Sequence, residues 1–405
     1  MSKNKRKKIL FVCGELPYPI TSGGRRRELE LLTELGGLGE TEILSISRNL
    51  NSVDLALTHL KKYIKKIHII SAGDINESIL LPRWNLEDLF KRFHVSEWES
   101  WWRLNYKRFN IIHVERGILI PPYLLDDFSG VDLIVSEQNI LSETIKFILK
   151  RNGFLTQKEK DKLKLYLKLL IGHENKIWRR SSKIITISQE DANTIRKRIG
   201  CAEDIICVPP TAREKNIKKE IIFKKFKQLQ ARKKINLLYL GNFNYFPNII
   251  SIENIAEKVL PVLDKLEINY CLRIVGNKAE YLKEKLRSKN LSKVKIIGYT
   301  SNLERIWNLT HFSLCPVYAN DGVKIKILES LENRVPVITN SNGLKGYERF
   351  KDKFIFVRDN YFEMGKLIKD FIENPRLVLM ISERLRKAKL ESRKFSENLL
   401  KAYNL

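Results

Sequence analysis

Two series of short apolar runs, each interleaved with helical stretches, are the feature that most constrains how this 405-residue chain can fold. The first series comprises residues 9–12, 42–46, 67–70, 111–114, 133–135 and 184–187, and the second comprises 237–240, 271–275, 294–297, 312–317, 335–338 and 354–357. Strands that are apolar throughout are buried on both faces, which is typical of parallel sheets covered by helices. The pattern therefore predicts an α/β chain with two doubly wound, Rossmann-like domains.

The boundary between the predicted domains lies where Pro209 and Pro210 interrupt the pattern. The predominantly basic segment that follows has little strand character, so we interpret it as a linker. We therefore expect four parts, which are an amino-terminal domain over residues 1–210, a basic linker over 211–234, a second domain over 235–375 and a helical segment over 376–405. The last segment either caps the second domain or crosses back to the first.

Composition excludes several classes of protein. With 43% hydrophobic residues the chain can bury a core, so it is not disordered throughout. It contains no window of 18 unbroken apolar residues, and the apolar run at residues 9–13 is too short for a signal peptide, so we expect neither a transmembrane helix nor a secretion signal. The five cysteines are scattered without a C-x-x-C pair, which favours a reducing cytoplasm without disulfides or a zinc site.

The formal net charge of +27 favours contact with phosphate-bearing partners. No nucleic-acid-binding module is recognisable, so we expect no nucleic-acid partner. Peripheral contact with an anionic membrane would involve the basic leader at residues 3–8 or an aromatic face at residues 98–109. The aromatic residues of that face recur at helical spacing, which suits either membrane contact or core packing.

Three loops have the position that phosphate binding requires in parallel sheets, between the carboxyl end of a strand and the start of a helix. They are residues 14–24, 241–244 and 320–323. Neither G-x-G-x-x-G nor the P-loop pattern is present, which disfavours a nicotinamide enzyme and a P-loop NTPase. The six histidines include no pair with metal-ligand spacing, so no metal site is expected.

Residues 321–346, with the sequence DGVKIKILESLENRVPVITNSNGLKG, are the most informative stretch. Its acidic residues Asp321 and Glu329 are separated by seven positions, with a glycine after the first and a Pro-Val strand after the helix. This arrangement resembles the donor-binding segment of GT-B glycosyltransferases, especially those of retaining family 4. The family usually has Glu at the first acidic position, so Asp321 is a departure that keeps the charge with a shorter reach.

The resemblance implies a GT-B fold, in which two Rossmann-like domains face a central cleft, and a UDP- or GDP-sugar donor in the second domain. Backbone N–H groups at the helix start and a cation from Lys324 or Lys326 would stabilise the charge that develops on the diphosphate. Many relatives carry an Arg and a Lys in the loop after the domain's first strand. This chain has neither between Gly241 and Pro247, so Lys326 is our first choice for that charge. The expected donor-binding residues are Gly23, Gly24, Gly241, Asn242, Gly276, Tyr299, Asp321, Gly322, Val323, Lys324, Lys326 and Glu329, with Glu329 on the ribose.

The first domain would bind the acceptor. Residues 17–26 resemble the family's glycine loop, and residues 135–143 resemble a segment that often reads Glu-His-Asn-Xaa-Glu. Gln138 occupies the histidine position, and because an amide does not titrate it could hydrogen-bond a sugar hydroxyl but not transfer a proton. Glu137 is either an acceptor contact or a solvated charge. The expected acceptor-side residues are Arg25, Arg26 and Asn139, and the expected catalytic residues are Asp321, Glu137 and Gln138.

The resemblance therefore implies a retaining, metal-independent glycosyltransferase that needs no cofactor besides its nucleotide-sugar substrate. Its acceptor would be a hydroxyl of a glycan or lipid-linked intermediate in the synthesis of cell-envelope polysaccharide or glycolipid. The alternative is a GT-B protein that binds a nucleotide without transferring sugar. Asp321, Gln138 and the loop at residues 241–247 favour this alternative.

Overall fold

The computed structural model describes residues 6–47, 53–71, 96–120, 128, 130–150, 156–200, 204–286, 292–318, 323–390 and 394–403. The chain divides into two compact units, Met1–Pro210 together with Arg393–Leu405, and Thr211–Ser392. Within these described residues, none of the helices combines the length and the apolar character needed to traverse a bilayer.

The first unit is built on a seven-stranded parallel sheet. Its strands are β1 (Lys8–Cys13), β2 (Glu40–Ser47), β3 (Lys66–Ser71), β4 (Ile111–Glu115), β5 (Asp132–Glu137), β6 (Lys183–Thr186) and β7 (Ile205–Cys207), in the order β3-β2-β1-β4-β5-β6-β7. Alternate residues of β1 enter two different hydrophobic clusters, so both faces of the sheet are buried. The strand order reverses between β1 and β4, and the carboxyl ends of these strands therefore form a topological switch point.

Some of the helices between these strands begin with side-chain capping interactions. The helices between the strands are α1 (Gly23–Leu38), α2 (Val53–Leu60), α3 (Ser96–Asn105), α4 (Leu141–Leu149), α5 (Gln157–Arg180) and α6 (Gln189–Ile199). Ser22 caps α1, since its Oγ accepts a hydrogen bond from the backbone N of Arg25 at 3.2 Å. Thr156 and Glu159 form a capping box at the start of α5, which fixes where this long helix begins.

The second unit is built on a six-stranded parallel sheet. Its strands are β8 (Ile235–Leu240), β9 (Tyr270–Val275), β10 (Val294–Ile296), β11 (Phe312–Leu314), β12 (Val337–Thr339) and β13 (Ile355–Val357), in the order β10-β9-β8-β11-β12-β13. Its helices are α7 (Lys219–Arg232), α8 (Phe246–Asn254), α9 (Leu260–Lys265), α10 (Leu282–Lys285), α11 (Leu303–Trp307), α12 (Ile325–Glu332), α13 (Ser341–Leu344), α14 (Tyr361–Glu373) and α15 (Pro375–Lys387). The predicted pair of doubly wound parallel sheets is therefore confirmed, and the second switch point lies between β8 and β11.

Helix α7 lies within the segment that we interpreted as a linker from the sequence, and here the structure differs. α7 packs against α15 inside the second unit and buries Ile222 and Leu229. Lys225 is also buried, and its Nζ donates to the carbonyl oxygen of Thr310 at 3.0 Å. Burial lowers the pKa of Lys225 to about 8. Because most basic residues of this segment are exposed, the sequence pattern did not reveal the buried stripe of α7, which includes a lysine.

The segment over residues 376–405, expected to be one helical unit, is divided between the two units. α15 belongs to the second unit, whereas α16 (Lys394–Tyr403) crosses back and belongs to the first. Asn398 Nδ2 donates to the carbonyl oxygen of Cys207 at 2.7 Å. The guanidinium group of Arg27 lies 4.9 Å from the ring centroid of Phe395 and donates to the carbonyl oxygen of Val208 at 2.6 Å.

The aromatic face of residues 98–109 packs into the core of the first unit. The side chains of Trp98 and Trp102 have no solvent exposure, and Tyr106 and Phe109 are also buried. Trp98 Nε1 donates to the carbonyl oxygen of Leu119 at 3.3 Å, which satisfies the indole inside the core. Of the two alternatives for this face, the structure therefore favours core packing over membrane contact.

Replacement of Trp102 by alanine should lower the free energy of unfolding by about 3–5 kcal/mol, because it leaves a large cavity. Leu104 on the same helix is 80% exposed, and Leu104→Ala should change that free energy by less than about 0.5 kcal/mol. Urea unfolding followed by circular dichroism measures both variants. Equally small losses for the two would contradict the buried position of this face.

Candidate functional site

The switch point of the second unit positions one cation, Lys326, in the first turn of α12. Its Nζ donates to Tyr239 Oη and to Asn248 Oδ1, both at 2.7 Å, and lies 4.2 Å from the ring centroid of Tyr239. Asn248 Nδ2 in turn donates to the carbonyl oxygen of Asn242 at 2.8 Å. These contacts tie the start of α12 to the loop that follows β8, so an ammonium group is fixed at the carboxyl edge of the sheet.

Tyr239 and Asn248, which accept hydrogen bonds from this ammonium, are both neutral groups. Burial is the main cause that raises the pKa of Tyr239, so its hydroxyl stays protonated at neutral pH. Tyr239 Oη accepts from Lys326 and donates to Asn248 Oδ1 at 3.2 Å. A hydroxyl and an amide therefore help to orient the ammonium group at this edge of the sheet.

The ends of neighbouring strands approach closely at Gly241 and Gly276. Gly276 has φ of 142°, and a Cβ atom there would lie 1.7 Å from the carbonyl oxygen of Gly241, so only glycine fits. The backbone N of Gly276 donates to the carbonyl oxygen of Gly298 at 2.9 Å. Tyr299, one of the predicted donor-binding residues, follows Gly298 and is 61% exposed.

The start of α12 is fixed by residues at, and immediately after, the carboxyl-terminal end of the sequence motif. The carbonyl oxygen of Lys324 accepts from Tyr347 Oη at 3.1 Å. Val323 is buried against Gly346, where a Cβ atom would lie 2.8 Å from Val323 Cγ2. Glu329 is half-buried one helical turn after Lys326. Asp321 and Gly322, which complete the motif, lie outside the described residues.

Asn340 is a supporting residue that the sequence analysis missed. Its Oδ1 accepts from the backbone N of Val317 at 3.0 Å, and its Nδ2 donates to the carbonyl oxygen of Val317 at 2.7 Å. The same Oδ1 accepts from the backbone N of Gly343, which caps α13. Asn340 therefore braces the segment after β11, and its position directly after a buried strand is the signal that could have identified it.

At the switch point of the first unit, Gln138 joins residues from three elements. Its Nε2 lies 3.0 Å from Glu115 Oε2, 3.2 Å from Glu28 Oε1 and 3.4 Å from the carbonyl oxygen of Gly24, and it donates to these oxygens. Glu115 ends β4, Glu28 lies in α1, and both are buried. A half-buried amide is thus anchored from behind by two buried carboxyl groups.

The two carboxyl groups differ in protonation. Burial raises the pKa of Glu28 to about 8, partly offset by Arg116, whose guanidinium lies 3.4 Å away. Burial also acts to raise the pKa of Glu115, but the hydrogen bond and charge of His113 outweigh it and hold that pKa below its ordinary value. Near neutral pH, Gln138 therefore bridges a protonated Glu28 and an ionised Glu115.

Arg116 stands at the exposed side of this cluster. Its side chain is 54% exposed, and its backbone has φ of 73°, a conformation that side-chain-bearing residues rarely adopt. The structure therefore combines an exposed cation, a half-buried amide and a protonated carboxyl group at one switch point.

The cluster extends through the protein interior to α16. His113 Nε2 and Glu115 Oε1 are hydrogen-bonded at 2.7 Å, and Tyr403 Oη is hydrogen-bonded to His113 Nδ1. The side chains of His113, Glu115 and Tyr403 are all buried, so α16 helps to set the state of Glu115 from inside the unit.

Glu137 lies apart from this cluster although it precedes Gln138 in the sequence. Its Oε1 accepts from Trp178 Nε1 at 3.1 Å and from the backbone N of Gly117 at 3.3 Å. Burial raises its pKa to about 8, and the charge of Glu174 adds to this effect. Glu137 is therefore a buried and largely protonated group at neutral pH, so it is not a solvated charge.

The other predicted residues of the first unit have diverse environments. Gly23 and Gly24 begin α1, Asn139 is half-buried, Arg25 forms an ion pair with Glu15, and Arg26 is buried with its Nε 2.9 Å from Glu30 Oε1. The structure thus brings Gly24 and Gln138 together and places Arg26 in the interior. Within the described ranges, no group of three or more His, Cys, Asp or Glu residues is arranged to hold a metal ion.

Glu28, Glu115, His113 and Tyr403 were missed by the sequence analysis. Two of them had a usable signal, since Glu28 lies one helical turn after Gly24 and Glu115 ends an apolar strand. Tyr403 had none, because it is 290 positions from His113.

Gly24→Ala should destabilise the protein, because a Cβ atom there would lie 2.7 Å from Gln138 Oε1 and would displace the amide. Gly37 lies in the same helix and has open space around the position of a Cβ atom. Gly37→Ala should therefore stabilise the protein by up to about 1 kcal/mol. Thermal unfolding of both variants measures the contrast, and equal stabilisation by the two alanines would argue against the observed position of Gln138.

Glu137→Gln should flatten the dependence of stability on pH. The carboxyl pKa is raised from 4.5 to about 8 on folding, so between these values the unfolded chain releases the proton more readily. Stability therefore falls as pH rises through this window, by up to about 1.4 kcal/mol per pH unit for this group. Urea unfolding at about pH 5 and pH 8 measures the slope, of which Glu28 contributes a further part.

The matched control for this experiment is Glu143→Gln, since the Glu143 side chain is 35% exposed and pairs with Lys146. This variant should keep the wild-type slope. If Glu137→Gln also keeps that slope, the proposed protonation of the buried carboxyl group is wrong.

Comparison with known proteins agrees with this architecture. Residues 234–374 match the family described as "Glycosyl transferases group 1". No curated protein matches the sequence. Among solved structures, Anabaena Alr3699/HepE in complex with UDP-glucose has 14% identity, with 98% of each chain covered and a TM-score of 0.64.

Two further structures are similar over nearly the whole chain. A TarM variant from S. aureus, in complex with fondaparinux, alpha-GlcNAc-glycerol and UDP, has 11% identity, covers 98% of this chain and 99% of its own, and has a TM-score of 0.62. A glycosyltransferase from Rickettsia africae ESF-5 has 14% identity, covers 99% of this chain and 97% of its own, and has a TM-score of 0.55. The chain therefore has the GT-B fold of these proteins, and its residues 234–374, about a third of its length, match the model of the glycosyl transferases group 1 family.

Proposed function

We propose that this chain is a glycosyltransferase that moves a sugar from a nucleotide-diphosphate-sugar donor to a hydroxyl group of a glycan or lipid-linked acceptor. The observation that carries the proposal is the ammonium group of Lys326, which Tyr239 and Asn248 fix at the switch point of the group 1 domain. The leaving nucleotide gains negative charge as the glycosidic bond breaks. A preorganised cation at that edge stabilises this charge without reorganisation during the reaction.

The second unit is the proposed donor site. The backbone at the start of α12 and Lys326 would contact the diphosphate, and the close approach at Gly241 and Gly276 keeps side chains away from it. Glu329 is the proposed ribose contact, Asp321 the sugar contact and Tyr299 the base contact. UDP is our first choice of nucleotide, because the similar HepE, TarM and S. aureus MnaA structures contain it.

The first unit is the proposed acceptor site. Gln138 is half-buried and Arg116 is exposed, so both can reach a ligand at the switch point. The anchoring of Gln138 by Glu28 and Glu115 holds its amide in one orientation. A hydrogen-bonding amide and a guanidinium suit an acceptor hydroxyl that lies near an anionic group.

We propose transfer with retention of configuration and without a metal ion. The acceptor oxygen would bond to the anomeric carbon on the face that the diphosphate leaves, and the departing phosphate oxygen would take the acceptor proton. This route needs no titrating side chain at position 138, which suits an amide. Lys326 would supply the positive charge that a divalent ion supplies elsewhere.

The proposed product is a cell-envelope polysaccharide or glycolipid made on the cytoplasmic side of the membrane. Structures similar to this chain include one described as the lipopolysaccharide outer core galactosyltransferase WaaB, with 14% identity, 98% and 99% coverage and a TM-score of 0.56. The TarM structure holds alpha-GlcNAc-glycerol. Both descriptions name glycans or glycan derivatives, which supports a glycan acceptor here.

A second candidate is a GT-B protein that binds a nucleotide and transfers no sugar. The locked amide of Gln138 favours it, because this position cannot take part in proton transfer. The absence of Arg and Lys between Gly241 and Pro247 weakens the expected grip on a diphosphate and favours it as well.

Thermal unfolding with UDP, GDP, ADP, CDP, TDP and CMP should identify the donor nucleotide. Ligand at a hundred times its dissociation constant adds about 2.7 kcal/mol of stability, and we expect this with UDP or GDP. Lys326→Met and Glu329→Ala should each reduce the shift, relative to the same variant without ligand. Glu363→Ala, at an exposed ion pair in the same unit, should leave it unchanged.

Sugar transfer from the radiolabelled sugar nucleotide to a bacterial lipid extract then separates the two candidates. Transfer that is lost in Lys326→Met supports the enzyme. A nucleotide-dependent shift without transfer or sugar release favours the binding protein, and no shift with any of the six nucleotides rejects the donor site.

A further inference from the structure

Helix α5 has two exposed leucines on its outer face. The side chains of Leu165 and Leu169 are 62% and 54% exposed, although α5 buries Leu163 and Leu170 on its inner face. Residues four apart lie beside each other on a helix, so the two exposed leucines form one apolar patch. Gly172 continues the same line one turn further and is also exposed, which leaves the patch open at that end.

The surface around this patch is strongly basic. Lys162, Lys168 and Lys176 are all exposed, and Lys162 and Lys176 lie on the same line as the leucines. Over its 24 residues α5 contains the basic residues Lys158, Lys160, Lys162, Lys164, Lys168, Lys176, Arg179 and Arg180 and the acidic residues Glu159, Asp161 and Glu174. Glu174 faces the interior, where it accepts from Ser142 and Arg198, so it does not offset the outer charge.

The combination of exposed leucines and lysines limits which kind of partner can cover this face of α5. A two-fold contact with a second copy of the chain would place lysines opposite lysines, since the same patch would be used on both sides. A nucleic acid would satisfy the lysines but would leave the leucines in water. An anionic bilayer satisfies both, because leucine side chains enter the acyl boundary while lysine ammonium groups remain among the headgroups.

We infer that the outer face of α5, with Leu165 and Leu169 flanked by Lys162 and Lys168, docks this chain on an anionic membrane surface. The helix would lie parallel to the surface over about 36 Å of its length. This is a different surface from the aromatic face of α3, which is buried. The inference goes beyond the proposed sugar transfer and can be tested whether or not that reaction is found.

Co-sedimentation of the full chain with phosphatidylglycerol-containing vesicles tests the inference, with pure phosphatidylcholine vesicles as the neutral comparison. We expect binding to the anionic vesicles only, reduced by high salt. Leu165→Gln combined with Leu169→Gln should lower the partition coefficient at least tenfold. Lys162→Glu combined with Lys168→Glu should lower it by at least as much, since each lysine near such a surface contributes about fivefold.

Two double variants are matched controls. Leu377→Gln with Met380→Gln removes a pair of exposed apolar side chains from α15, where they are 43% and 51% exposed. Lys366→Glu with Lys369→Glu changes the net charge as much as the lysine variant of α5 does, at exposed positions of α14. Both should bind like the wild type, and unchanged thermal unfolding would show that all variants are folded.

Three results would overturn the inference. The wild type could fail to bind anionic vesicles. The leucine variant of α5 could bind as tightly as the wild type, which would show that binding depends on the net charge of the protein and not on these leucines. Sedimentation velocity could show that the wild type forms a dimer that the leucine variant loses, which would make this face a protein interface.

Discussion

The placement of one ammonium group, that of Lys326, governs the candidate donor edge. Tyr239 and Asn248 hold it with two neutral groups, so the charge is fixed in space. The same contacts join β8, α8 and α12, which makes local structure and electrostatics depend on one side chain. The first unit has the opposite character at its switch point, where two buried carboxyl groups fix an amide. The sheet edge of the second unit therefore suits an anion, and that of the first unit suits a hydroxyl group.

Much of the fold follows from the apolar runs, because buried parallel strands leave a strong local pattern. β7, a three-residue strand at one edge of the first sheet, was missed. The strand at residues 312–317 was predicted too long, since the side chain of Asn340 instead binds the backbone of Val317. α7 was missed as a packed helix because its buried stripe includes Lys225, a residue type that is seldom buried.

The two candidate sites also differ in how much of each can be predicted from the sequence. Residues near Lys326 could be proposed from the sequence because the motif that includes it is contiguous, and the structure places Lys326 against Asn248 of α8, which follows the loop after β8. The cluster around Gln138 depends on contacts between distant parts of the chain, which no spacing rule reveals. A single sequence also cannot show that Glu28 and Glu115 differ in protonation, because burial and the contact with His113 set that difference.

The return of α16 to the first unit has a consequence for synthesis on the ribosome. The segments of the first unit are separated in the chain by the whole second unit, so the ribosome makes every residue of the second unit before α16 emerges. Domains usually fold in the order in which they are synthesised, but here the first must wait for its last helix. Until then, the apolar surface that Phe395 covers is accessible to chaperones and proteases. Burial of that surface therefore requires that the ribosome has already synthesised the whole second unit.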